Sequence, residues 1–380
     1  MSAAWRLSAA RLVSLSGGSA AYIALIAAIY GATGSALWIS AAIFTSVVSS
    51  VIAAPFAGWV GDRCDRRRVM IAADLTAAGI AFGMAATSHH AAALVVLMGV
   101  SSIAQAPFEP ASAAALPSLV TDDLVARANA LVAATSSSAY LAGPLLSGIV
   151  LAIGASPAAV FVVDAGTFLF SAAVVAGITG SFGRGSTEAH PGMLAGAKLI
   201  VRERALLLPV TAGMVSLIGI GIADVASYPL SIHLGAGAGG YGAMASLLGG
   251  GGLLGAAIAG VVVQRHPRTL LTGAFLAGAA GLALASGAPV VAVALVGMAL
   301  AGGGRGLADV ASVTLIQRNA PDEVRSRVFA AQEGAAHIAF SVSAFTGGLL
   351  VSAAGSRFAF AAAAAASLCA AGVASFARAD

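Results

Sequence analysis

Charge is scarce in this sequence. Asp, Glu, Lys and Arg make up 9% of 380 residues, where a soluble domain carries about 25%. Hydrophobic residues make up 59%, and the mean hydropathy is +0.97. A chain so poor in charge cannot cover its own surface in water, which excludes a soluble globular protein. Cysteine is nearly absent as well, with Cys64 and Cys369 on separate elements. They leave no disulfide framework, no CxxC pair and no metal-ligand spacing. No GxxxxGK[ST] string occurs, so no ATP motor is expected. One GxGxxG string does occur, Gly250-Gly251-Gly252-Leu253-Leu254-Gly255. It lies in an apolar run, with no strand before it and no acid about 20 residues on, so close packing of helices through small residues explains it. No nucleophile–base constellation appears, and an enzyme is not expected. Met1 to Arg11 is short and weakly basic, and the run after it is too long for a signal-peptide core. It reads as an uncleaved first helix.

Long apolar runs are what the sequence has instead. A spanning helix takes about 20 apolar residues. Twelve such runs lie near residues 8–32, 36–60, 69–88, 91–116, 129–153, 157–179, 205–230, 241–264, 269–287, 289–315, 328–353 and 357–376. Lipid leaves helices as the only form for them. The longest polar interval, Ser181 to Arg204, divides the runs six and six. The expected fold is an all-α membrane protein, with twelve transmembrane helices in two pseudo-symmetric six-helix bundles. Residues 1–180 form the first bundle, 181–204 a cytoplasmic linker and 205–380 the second bundle. With the amino terminus inside, every basic residue except Arg305 and Arg357 falls on the cytoplasmic side. The positive-inside rule then places both termini in the cytoplasm. The net charge of +4 reflects these loops and implies no nucleic-acid partner.

One stretch organises the chain: Gly58-Trp59-Val60-Gly61-Asp62-Arg63-Cys64-Asp65-Arg66-Arg67-Arg68, a knot of charge between two spans. It resembles the loop between helices 2 and 3 of the major facilitator superfamily, with Gly58, Asp62, Arg63, Arg66 and Arg67 in register. A repeat test agrees. A shift of 200 residues lays Glu109 on Asp309, Ser112 on Ser312 and Arg127 on Arg327; a shift of 202 lays Gly58 on Gly260, Arg63 on Arg265 and Arg66 on Arg268. Gln264 stands where the first copy has Asp62, so the second loop is a degraded copy. Ala115-Leu116-Pro117-Ser118-Leu119-Val120 and the stretch from Gln317 to Phe329 resemble connections in bacterial macrolide-efflux and enterobactin-exporter-like members. Ala142-Gly143-Pro144-Leu145-Leu146-Ser147-Gly148 is similar to a Gly-Pro element of antiporters.

The resemblance implies several roles. The first, fourth, seventh and tenth spans would line a central cavity. Asp62 would cap the start of the eleventh span and act as a cytoplasmic latch, helix N-termini favouring anions. Arg63, Arg66 and Arg67 would pair with acids on the third and fourth spans or with anionic lipid, as gating residues. Gly143, Pro144 and Gly148 would form the antiporter-like element. The fourth span lacks the arginine common in drug–proton antiporters, which speaks against proton antiport.

Ionisable residues inside spans are functional candidates by default, because hydrocarbon penalises them. The set is Asp74, Glu109, Asp164, Asp224, Arg305, Asp309, Glu333 and His337. Glu109 heads a Glu-Pro step that interrupts the fourth span. It either binds substrate or the coupling proton, or pairs with an arginine of the 63–68 loop and closes a gate. Arg305 and Asp309, at i and i+4, share one helical face; they form a structural ion pair or an anion and proton site. Glycines 302, 303, 304 and 306 leave room around Arg305. Asp224, before Tyr228-Pro229, binds a cationic substrate or faces an aqueous mouth. Glu333 and His337 share a face one turn apart, as a secondary proton relay or a structural bond. Asp74 is expected to pair with the loop arginines and serve the gate, and Asp164 to be structural.

Together these readings describe a secondary transporter that exports a small amphipathic organic compound, such as a drug-like molecule or siderophore, by proton antiport with alternating access. Its partners would be that substrate, protons and membrane lipid. The proton gradient would take the place of any cofactor or metal. The setting would be a bacterial plasma membrane, and the protein a monomer. Uptake or facilitated exchange of a metabolite is the alternative in transport. A membrane sensor is the alternative outside it, and would need an output domain that the short linker and tails do not hold.

Overall fold

Apolar runs this long satisfy their backbone groups only within themselves, and the computed structural model has helices and no strand among the residues it describes: 2–121, 124–179, 182, 193–263 and 266–376. The helices are α1 (Ser2–Thr33), α2 (Ala36–Arg63), α3 (Arg66–Ala86), α4 (Ala91–Gln105), α5 (Phe108–Ala115), α6 (Val125–Ala152), α7 (Pro157–Gly177), α8 (Met193–Arg202), α9 (Arg204–His233), α10 (Gly237–Val262), α11 (Pro267–Ser286), α12 (Val291–Asn319) and α13 (Asp322–Phe376). Among the described residues eleven helical stretches are long and apolar enough to cross a membrane. The last of these, within α13, is two spans joined at Gly355, where the backbone turns to φ 85°, ψ 168°. The protein is therefore an all-α, multi-pass membrane protein with twelve spans. Only glycine adopts that backbone without strain, so Gly355→Ala is expected to cost about 1–3 kcal/mol. A thermal melt of the purified variant measures it.

The chain divides into two compact units, Met1–Glu188 and Ala189–Asp380. In the first, α1 packs against α6 and α7, α2 against α4, and α3 against α4 and α7. In the second, α9 packs against α13, α10 against α12, and α11 against α12 and α13. The same pairing recurs in the same order, which is the structural form of the sequence repeat. Residues 181 and 183–192 of the polar interval between the units lie outside the described residues, as do Gln264 and Arg265 of the second loop copy. The part that is described, α8, packs on α9 and α13 through a cluster containing Ile200, Leu206, Ile316 and Val328.

The fourth run is not one helix. It breaks between Gln105 and Phe108, then continues as α5 and a short 3₁₀ turn, Leu116–Leu119. The break falls at Pro107, earlier than the expected Glu109-Pro110 step. Pro110 sits in the first turn of α5, where its missing N–H is not needed. Large apolar side chains such as Ile52, Val163, Leu254 and Val261 stand exposed across both units, as lipid-facing surface requires. Glycine fills the opposite need, close approach of backbones. A Cβ at Gly251 would overlap the Ala299 carbonyl, and one at Gly306 the carbonyl of Gly252. The GxGxxG string is thus a crossing of α10 and α12. Gly302, Gly304 and Gly306 face the backbones of α10 and α11, which corrects the expectation that they clear space around Arg305.

Candidate functional site

In each unit the described residues include a carboxylate set beside an arginine. In the first, Arg11 on α1 is 3% exposed. Its Nη2 donates to both carboxylate oxygens of Glu109, at 2.9 and 2.7 Å, and its Nη1 donates to Ser112 Oγ at 3.0 Å. Glu109 lies in the first turn of α5, where the helix dipole favours an anion, and its side chain is 67% exposed. A guanidinium fixed in the apolar interior thus holds a carboxylate that remains accessible. Glu109 does not pair with the 63–68 loop as one expectation had it. Its partner comes from the other end of the bundle's sequence.

In the second unit Arg305 Nε and Asp309 Oδ2 stand 3.8 Å apart on α12, with side chains 43% and 71% exposed. That separation is an ion pair without hydrogen-bond geometry, looser than the Arg11–Glu109 contact. Asp224 on α9 and Arg305 line one cavity of about 80 Å³ within this unit, together with Ser227, Tyr241, Phe275 and Met298. That volume holds a few waters or a small polar group. Tyr241 is fully buried and meets Tyr228 edge-on, with ring centroids 5.5 Å apart. The structure therefore brings Asp224, Arg305 and Asp309 into one neighbourhood.

Other candidates separate. Glu333 and His337 share a face of α13, yet no hydrogen bond or ion pair joins their side chains among the described residues, so no relay is assembled. Asp74 is 1% exposed and neither carboxylate oxygen has a partner. It lies beside Ser171 and Gln105, away from the loop arginines it was expected to meet. Asp164 is buried, accepts a 3.4 Å contact from Thr167 and abuts Gly17 of α1, which is a packing role.

The loop arginines also find partners other than acids. Arg66 donates to the carbonyls of Ala114 and Phe182, at 2.9 and 3.2 Å. Arg63 lies over the Trp59 ring and Arg67 over Phe182. Asp65 caps α3 by accepting from the Arg68 amide at 3.0 Å. The side chain of Asp62, and with it the expected cap of the eleventh span, lies outside the described side chains; Gly58 is placed only as part of α2. Gly143, in α6, faces α1: a Cβ there would come within 2.6 Å of the Ser16 carbonyl oxygen. Pro144 and Gly148 are buried on the same helix, so the Gly-Pro element is a tight seam between α6 and α1. Sequence reasoning missed Arg11, Ser112, Tyr241, Ser171 and Gln105. Of these, Arg11 carried a signal as a charge inside an apolar run, and Ser112 one as the match of Ser312 in the repeat.

A family model of the Major Facilitator Superfamily matches the chain twice, over residues 7–214 and 209–380. Solved structures share its fold. The nucleoside transporter NupG superposes with a TM-score of 0.77 at 11% identity, over 100% of both chains. A bacterial homologue of the iron transporter ferroportin, in an inward-facing state, gives 0.79 at 14% identity over 100% of this chain and 99% of that one. A bacterial homologue of the human lysosomal transporter Spinster gives 0.72 at 12% identity, over 99% and 94%. No curated protein matches the chain in sequence. At such identities the likeness speaks for the fold alone.

Proposed function

Because the chain belongs to the Major Facilitator Superfamily, we propose that this membrane transporter exports a small amphipathic organic compound in exchange for protons. Drug-like molecules and siderophores are the candidate substrates. The proposed setting is a bacterial plasma membrane with both termini cytoplasmic. The protein acts as a monomer by alternating access, and the proton gradient is its energy source.

One observation carries this reading: the Arg11–Glu109 pair. A proton arriving on Glu109 cancels the charge that holds the guanidinium, and its departure restores the pair. A substrate that competes for either partner is then coupled to the proton, and the coupling acts equally in both directions. The arginine that the fourth span lacks is supplied here against α5 by α1. Asp309, which matches Glu109 in the repeat, offers a second carboxylate with its own arginine.

The test uses proteoliposomes with a pH gradient and an internal proton probe. A panel of lipophilic cations and siderophore-like anions is added to wild type, Glu109→Gln and Asp309→Asn. Compound-driven proton movement is expected to fall about 10- to 100-fold in one variant while that variant still binds the compound. Unchanged proton movement in both variants would remove these carboxylates from the mechanism.

A second reading is favoured by the cavity that Asp224 and Arg305 share. Opposite charges across so small a space suit the two ends of a small zwitterionic metabolite, taken up or exchanged without protons. Counterflow of such a metabolite, with no proton movement, would select that reading. A membrane sensor would show neither flux.

A further inference from the structure

The first unit holds a polar cluster that neither arginine pair touches. Asp74 on α3 lies beside Ser171 of α7 and Gln105 at the end of α4. Both Asp74 oxygens, Ser171 Oγ and Gln105 Nε2 are buried without a hydrogen-bond partner. Side chains from three helices therefore converge on one buried carboxylate, with a hydroxyl and an amide as its polar neighbours. Burial of an unpaired carboxylate is so unfavourable that such groups are neutralised, and a cluster of unsatisfied polar atoms calls for an occupant.

The neutralising group is not an arginine. The elements packed on α3 offer few charges: Asp164 on α7, Glu109 on α5, Asp62 and Arg63 at the end of α2, and none on α4. Glu109 is held by Arg11, Asp164 contacts Thr167, and Arg63 lies over Trp59. On α3 itself, Arg66 and Arg67 are engaged at the carbonyls of Ala114 and Phe182 and at the Phe182 ring. Arg68, like Arg63 and Asp65, lines a cleft of about 680 Å³ that also runs along Ala72, Ala73, Thr76, Ala104 and Pro107. The residues of α3 that line it, Arg68, Val69, Ala72, Ala73 and Thr76, do not include Asp74, which is buried on the other side of the helix. The cluster lies about 12 Å along α3 from Arg66 by helical rise.

We propose that Asp74, Gln105 and Ser171 form a buried proton-binding site in the first unit. Asp74 and Ser171 lie on the third and sixth spans, off those expected to line the cavity, and Gln105 ends the helical part of the fourth. The bound proton biases how α3 packs against α4 and α7. The proposal rests on the proton-coupled reading above for its role in transport, but the binding of the proton stands apart from it.

The test is infrared difference spectroscopy on the full chain in lipid, across a pH titration, with carboxylic-acid carbonyl bands as the readout. One such band is expected to be lost in Asp74→Asn, and to shift in Ser171→Ala and Gln105→Ala, which remove its neighbours and keep the carboxyl group. A full set of bands in Asp74→Asn overturns the site, as does, should that variant not fold, no shift in either neighbour variant. Bleaching of the band by sodium but not by choline also overturns it, since the occupant would then be a metal cation. Proton flux in the same variants separates the two readings. If wild type moves no protons while the band behaves as expected, the coupled transport fails and the site stands.

Discussion

Glu109→Ala is expected to destabilise the protein more than the double variant Arg11→Met, Glu109→Gln. Removing the carboxylate alone leaves Arg11 buried, with Ser112 as its remaining polar contact. An uncompensated charge of this kind costs about 3–5 kcal/mol, with the lower end applying because Glu109 itself is accessible. The double variant removes both charges and replaces the guanidinium with an apolar side chain of similar length, so most of that loss is expected to return. Thermal unfolding of the single and double variants in one detergent closes the cycle. If Glu109→Ala melts at the wild-type temperature, the pair does not hold α5 to α1.

The second large effect lies at the crossing of α10 and α12. Gly306→Ala drives a methyl group into the Gly252 carbonyl and within 2.8 Å of the Ala256 nitrogen. Backbone atoms on both sides cannot rotate away, so the helices must separate; overpacking of this kind costs about 3 kcal/mol or more. Gly303→Ala, three residues earlier on the same helix, is the control. Its Cβ would sit 3.8 Å from the nearest atom, the Gly251 carbonyl oxygen, and alanine is the better helix former by about 1 kcal/mol. The yield of monodisperse protein is expected to collapse for Gly306→Ala and to hold for Gly303→Ala. Equal yields would contradict the packing account.

Part of this architecture is legible in the sequence. The twelve spans follow from run length, and the Gly355 turn falls in the gap between the last two runs. The repeat of 200 residues anticipated that both units use the same helix pairings. What could not be read was which residues meet across helices. Arg11 looks like a flanking cytoplasmic charge, because it sits near the start of an apolar run. Only packing of α1 beside α5 turns it into the partner of Glu109, 98 positions away. Helical periodicity placed Glu333 and His337 on one face, but a shared face is not a contact. Asp74 was assigned to the nearest charges along the chain; the fold turns it instead towards Ser171, on another helix. The loop arginines were expected to seek acids, yet carbonyls at the ends of neighbouring segments and aromatic rings were closer. The charge of a side chain is plain in a sequence, and its partner is set by the packing of helices far apart in it.

The central claim is that an organic compound and protons move in opposite directions through this protein. It is tested most directly with wild-type protein in proteoliposomes, following internal pH while a compound from the panel is transported. Proton movement is expected to start with the compound, run against it and stop when the pH gradient is collapsed. Transport of the compound at an undiminished rate, with no proton movement and no dependence on the gradient, would contradict it.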